Sequence, residues 1–143
     1  MKQSDYAVIV LAAGFSNRMQ DFKPLLEIGG QTVADRVISG FLSHNVEVLL
    51  VTGWRREDLV TGIRHDGIRI VENPDYEAGM FSSVRAGVRH LSPHHRAFFI
   101  MPVDIPLVRP QTIGRLLETA SILPEKILYP VSVSYTHLTL PTN

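Results

Sequence analysis

The chain has 143 residues, 45% hydrophobic and 20% charged, which suits one globular domain with its own apolar core and excludes a disordered chain. Its 14 Lys and Arg balance 14 Asp and Glu, so the net charge favours neither a nucleic-acid coat nor a polybasic membrane binder. There are no cysteines, which removes disulfides, zinc thiolates and thiol nucleophiles.

Tyr6 to Ala13 is a β-branched apolar run that ends at Gly14, the pattern of a buried parallel strand. It is too short to span a bilayer and a poor secretion signal, so the cytoplasm is the expected compartment. Residues 14–30 read as an irregular, polar, glycine-bearing loop. Val33, Val37, Ile38, Phe41 and Leu42 then recur at helical spacing over 32–43. Val46 to Val51 is a second buried strand closed by Gly53, Arg55 to Ile63 a short helix, and Ile68 to Val71 a third strand. Residues 73–79 are loop chemistry, and Ser82 to Leu91 is helical. Ala97 to Met101 is a fourth strand, and Pro110 opens a helix through about Ala120. Lys126 to Tyr129 reads as the start of a fifth strand. The Met and Phe residues are expected mostly in the core.

Strands alternating with helices predict a doubly wound, three-layer α/β sandwich of Rossmann-like form with a mainly parallel sheet. In such sheets ligands bind outside the carboxyl ends of the strands, at a switch in strand order. Residues 14–23, 73–83 and 102–106 each follow a predicted strand and hold the polar residues that break the pattern.

The stretch Leu11-Ala-Ala-Gly-Phe-Ser-Asn-Arg-Met19, with Lys23 soon after, is neither a Walker A loop nor a G-x-G-x-x-G fingerprint. Small residues at Ala12, Ala13 and Gly14 would let backbone amides approach a polyanion, and Arg18 and Lys23 add two cations. A plain strand-to-helix turn with solvated cations fits the composition equally well.

Leu-Ala-Ala-Gly-x-Ser-x-Arg-Met followed by lysine resembles the signature of the molybdenum-cofactor nucleotidyltransferase family. That family is part of a larger NTP-transferase group that includes sugar-phosphate and isoprenoid-precursor nucleotidyltransferases. The Ala-Ala-Gly form is more similar to the cytidylyltransferase branch than to the guanylyl branch, which typically shows Ala-Gly-Gly. The resemblance runs over about residues 6–130. Asn73 to Gly87 is similar to the family's base- and ribose-facing segment, and Met101-Pro-Val-Asp-Ile-Pro106 to its metal-binding aspartate motif, from which Ile105 departs.

This resemblance implies a fold like that of the nucleotide-diphospho-sugar transferases and transfer of a nucleoside monophosphate, CMP from CTP being favoured, to a phosphorylated acceptor such as molybdopterin. Leu11 would belong to the nucleotide-binding loop, in which the amides of Ala12, Ala13 and Gly14, with Arg18, would hold the departing phosphates. Lys23 would neutralise the α-phosphate, and Asp104 would hold Mg²⁺. Asn73, Gly79, Ser82 and Ser83 would serve the nucleotide. Read on residue type alone, Ser82 and Ser83 could equally cap the following helix, and Asp104 could cap a turn between prolines. Another NTP and acceptor, such as a sugar phosphate, is a second reading, and a nucleotide-binding module without turnover a third. Arg18, Lys23 and Asp104 together argue against the third.

His94-His95 sits in a Ser-Pro-His-His turn and reads as exposed and solvated, because adjacent histidines seldom chelate one metal. Trp54 reads as surface. The tail from Val133 to Asn143 resembles a translated sequencing adapter and lacks the Gly-His-Pro segment and second acidic ligand typical of the family. The expected organisation is therefore a nucleotidyltransferase segment over 1–132, incomplete at its carboxyl end, with a foreign tail over 133–143.

Overall fold

The computed structural model describes residues 4–14, 23–103, 108–123 and 125–128, with backbone alone for Lys23. Arg18, Asp104, Tyr129 and the whole 133–143 tail lie outside the described residues. In chain order the elements are β1 (Tyr6–Leu11), a 3-10 turn (Lys23–Leu25), β2 (Glu27–Ile28), β3 (Gln31–Thr32) and α1 (Val33–Leu42). Then come β4 (Glu47–Thr52), α2 (Arg56–Gly62), β5 (Arg69–Glu72), a second 3-10 turn (Tyr76–Ala78), α3 (Met80–Val88), β6 (Ala97–Pro102) and α4 (Pro110–Ile122).

The expected parallel α/β sandwich is present. Four strands pair in parallel in the order β5-β4-β1-β6, with Ile9 opposite both Leu49 and Ile100. β1 lies in the middle, and Ala7, Val8, Ile9 and Val10 have no exposed surface. Alternation along the strands divides them between two cores. Val8, Val10, Val48 and Leu50 pack with Val37, Ile38 and Phe41 of α1, Leu59 of α2 and Ile113 of α4. Ala7, Ile9, Leu11, Leu49, Val51 and Val71 face the other way, against Val84 and Ala86 of α3. Helices thus cover both faces, as period-2 strands buried on both sides require. Among the described residues, no helix is long and apolar enough to cross a membrane.

The chain moves outward from β1 through β4 to β5, then returns to place β6 on the opposite side of β1. The switch in strand order therefore falls between β1 and β6, which sets the ligand-binding edge expected of such a sheet.

Several expectations need correction. The 14–30 loop contains a 3-10 turn and the β2–β3 hairpin, because Gly29 (φ 61°) and Gly30 (φ 84°) supply the two positive-φ residues of a tight turn. β1 ends at Leu11 rather than Ala13. α3 starts at Met80, two residues before Ser82, and Met80 and Phe81 are exposed rather than core, as is Phe98. Residues 126–128 form no strand. Trp54 is half-buried against the α1-side core. His95 is not solvated: its side chain is 2% exposed and bonded to Glu47.

Candidate active site

The carboxyl ends of β1, β4, β5 and β6 converge on one edge. Ala12 and Ala13 leave β1 still buried, and Ala12 N–H donates to Val51 O (2.9 Å), so that amide is committed to the sheet. Gly14, next along, is exposed. On the other side, Val103 N–H donates to Leu11 O (3.1 Å), which fixes the end of β6 beside the start of the same loop.

Asn73 follows β5 and is 3% exposed. Its Nδ2 donates to Ser82 Oγ and Ser83 Oγ, both at 2.9 Å, while its Oδ1 accepts from Asp75 N–H at 3.0 Å. The side chain thus spends both donors folding residues 73–83 into one unit. Ser82 Oγ lies within hydrogen-bonding distance of Gly79 O and Asp75 O, at 2.6 and 3.0 Å. Gly79, with φ 106°, breaks the 3-10 turn from α3 and stands exposed at the helix start. Ser83 is buried and Ser82 half-buried.

Gly53 joins the two loops. A Cβ at this position would stand 2.6 Å from Tyr76 Cβ and 2.9 Å from Ala13 Cβ, so only glycine lets them close over the end of β4. Beside this junction an open groove of about 520 Å³ is lined by Asp75, Tyr76, Glu77, Phe81, Ser82 and Arg85. The Arg85 guanidinium lies 5.1 Å from the centre of the exposed Phe81 ring.

The candidate residues Leu11 to Gly14, Asn73, Gly79, Ser82 and Ser83 therefore share one edge. Arg18, the Lys23 side chain and Asp104 lie outside the described residues. The backbone of Lys23 opens the turn whose Leu25 packs against Gly62, between α1 and α2.

Asp35, unremarked in the sequence, locks that junction. It is 3% exposed; its Oδ1 accepts from Arg64 N–H (3.1 Å) and from His65 Nδ1 (2.8 Å), and its Oδ2 from Thr32 Oγ1 (3.0 Å). Burial by itself pushes this carboxyl up, but the bonds from His65, Arg64 and Thr32 outweigh it and hold it below the ordinary value. Thr32 caps α1 by accepting Asp35 N–H (3.1 Å), so the Thr-x-x-Asp spacing was the one local signal.

A family model described as the MobA-like NTP transferase domain matches residues 8–140. The chain belongs to that family. Within it, the chain is 34% identical over 99 residues to the molybdenum cofactor cytidylyltransferase of Escherichia coli, covering 68% of this chain and 50% of that protein. It is also 34% identical over 116 residues to a bifunctional IPC transferase and DIPP synthase of Rubrobacter xylanophilus, covering 76% of this chain and 26% of that one. The chain thus spans half the length, or less, of these two curated relatives.

Among solved structures, a nucleotidyl transferase from Methanothermobacter thermautotroptrophicus superposes with a TM-score of 0.72 at 27% identity, covering 79% of this chain and 56% of that one. Rv0371c from Mycobacterium tuberculosis does so with a TM-score of 0.76 at 26% identity, covering 85% and 63%. The MobA-like fold places the Leu11–Gly14 loop and the Asn73–Ser83 unit on the carboxyl edge of its sheet.

Proposed function

We propose that the protein is a nucleotidyltransferase that moves CMP from CTP onto a phosphorylated acceptor, molybdopterin being favoured, and releases pyrophosphate. The observation that carries this reading is the meeting of the Ala12–Gly14 loop and the Asn73–Ser83 unit at Gly53, on the edge where a doubly wound sheet binds nucleotide. Family membership and the cytidylyltransferase relative support the reaction class.

In this reaction an acceptor phosphate oxygen attacks the α-phosphorus of the NTP in line. A new P–O bond forms, the bond to the bridging oxygen breaks, and pyrophosphate leaves with that electron pair. Both partners are anionic, so the protein's task is to hold geometry and cancel repulsion. The backbone amides after Ala12 and the Arg18 guanidinium would receive the departing phosphates, and Lys23 would face the charge that builds on the α-phosphate. The Asn73 unit and Gly79 would present backbone to base and ribose.

Asp104 comes next in sequence after Val103, whose N–H donates to Leu11 O. A hard carboxylate of this kind suits Mg²⁺, which takes one or two carboxylates and fills its other positions with water and phosphate oxygens. Bound there, the ion would supply charge neutralisation between nucleotide and acceptor.

The relative from Rubrobacter xylanophilus matches at the same 34% identity as the cytidylyltransferase. That equality favours testing a second acceptor class, such as a sugar phosphate. Pyrophosphate release should be measured with all four NTPs against each acceptor, on the protein encoded by the complete gene. CTP with molybdopterin should give the fastest release. Faster release from GTP, or with a sugar phosphate, would replace this reading.

A further inference from the structure

We infer that Glu47, His94 and His95 bind a zinc-type divalent cation at the amino edge of the sheet, opposite the nucleotide edge. Glu47 is the first residue of β4 and stands opposite Ala7. The two histidines lie in the turn just before β6, whose Ala97 stands opposite Tyr6. The three side chains therefore come together from strands on either side of β1. One ligand atom from each lies within 4.8 Å of the others.

The second observation is an unmet valence. His94 Nε2 is buried and has no hydrogen-bond partner. A buried polar atom left unpaired costs about 1–3 kcal/mol, and a bound cation would use its lone pair. The surroundings are partly enclosed, all three residues being half-buried. The His95 side chain is 2% exposed, that of Glu47 26%, and the two imidazole centres are 4.3 Å apart. Two imidazoles and a carboxylate form a donor set for Zn²⁺, Co²⁺ or Ni²⁺, with water in the fourth position. Mg²⁺, which prefers an oxygen shell, is a poor match.

The proton on His95 must move. Ser92 N–H donates to its Nδ1 (3.0 Å), so the neutral ring carries its proton on Nε2, which donates to Glu47 Oε2 (2.7 Å). A cation at Nε2 requires that proton to pass to Nδ1 through solvent. The ring stays neutral, and Ser92 N–H gives up a bond worth about 1 kcal/mol. Arg69 opposes the cation: its NH1 is 3.4 Å from Glu47 Oε1. It is also 44% exposed and bonded to His90 O at 3.0 Å, so it has a resting place away from the carboxylate.

The chain should be titrated with CoCl₂, following visible d–d absorption, and then with ZnCl₂ and MgCl₂ as competitors. The expected result is a single equivalent of Co²⁺, displaced by Zn²⁺ and untouched by millimolar Mg²⁺, with a shift of the Ser92 amide resonance. His94→Ala and Glu47→Gln should each weaken binding by at least about tenfold, and Arg69→Gln should tighten it. Circular dichroism of each variant separates lost binding from lost fold. Three outcomes would overturn the proposal: no cobalt spectrum, displacement by Mg²⁺, or unchanged affinity in folded His94→Ala and Glu47→Gln. The last would assign binding to other histidines, such as the exposed His90.

Discussion

Gly53 and Tyr76 approach so closely that a single added methyl would overlap the tyrosine's Cβ at 2.6 Å. This contact, with Ala13 as its third member, makes one surface of two loops that are distant in sequence. Gly53→Ala should cost about 1–3 kcal/mol, the usual penalty of overpacking, and should lower pyrophosphate release by more than the loss of folded protein explains. Urea unfolding and activity measured on the same samples check it. Wild-type stability in the variant would mean that the loops close elsewhere.

Asp35 should make stability depend on acid pH. Its carboxyl is held below the ordinary value of about 4, so its contribution is complete above that value and is lost as pH falls through the lowered one. Asp35→Asn should therefore be less stable than wild type at neutral pH, by about 1–3 kcal/mol for a charged, buried hydrogen-bond network. The difference should shrink below about pH 4. Denaturation midpoints at neutral and acid pH give the answer, and a difference that does not vary with pH would exclude this origin.

Lys23→Ala should lower kcat far more than it raises KM. In the proposed role its charge would matter most when the transition state builds negative charge on the α-phosphate. Steady-state kinetics with saturating NTP measure the split, and a change confined to KM would assign the lysine to ground-state binding.

Asp104→Asn keeps the size of the side chain and removes its charge. The variant should melt as wild type does while losing Mg²⁺-dependent pyrophosphate release. Unchanged activity and an unchanged Mg²⁺ titration would leave Asp104 a capping role between Pro102 and Pro106.

The strand order's consequences were legible because β1, β4 and β6 are apolar runs, and runs buried on both faces write themselves plainly into sequence. The loops on the carboxyl edge were legible for the opposite reason: polar and small residues interrupt those runs. What failed depended on distance. Asp35 is explained by His65, and His95 by Glu47, and no local window contains either pair. Met80, Phe81 and Phe98 have core composition, but which apolar faces are covered is decided by layers that composition does not encode. The β2–β3 hairpin does carry a local signal, since Gly29-Gly30 between two short strands is turn chemistry.

The central place of β1 has a kinetic consequence. It is synthesised before both of its neighbours, and one of them, β6, is separated from β4 by four elements. Until Ala97 arrives to face Tyr6, the backbone groups on one side of this apolar strand lack the strand they pair with in the folded protein. Pairings between residues so far apart must overcome loop closure before they contribute stability, which slows folding. A nascent chain halted before β6 would thus present an open, sticky edge, making that interval the one in which a chaperone has most to do.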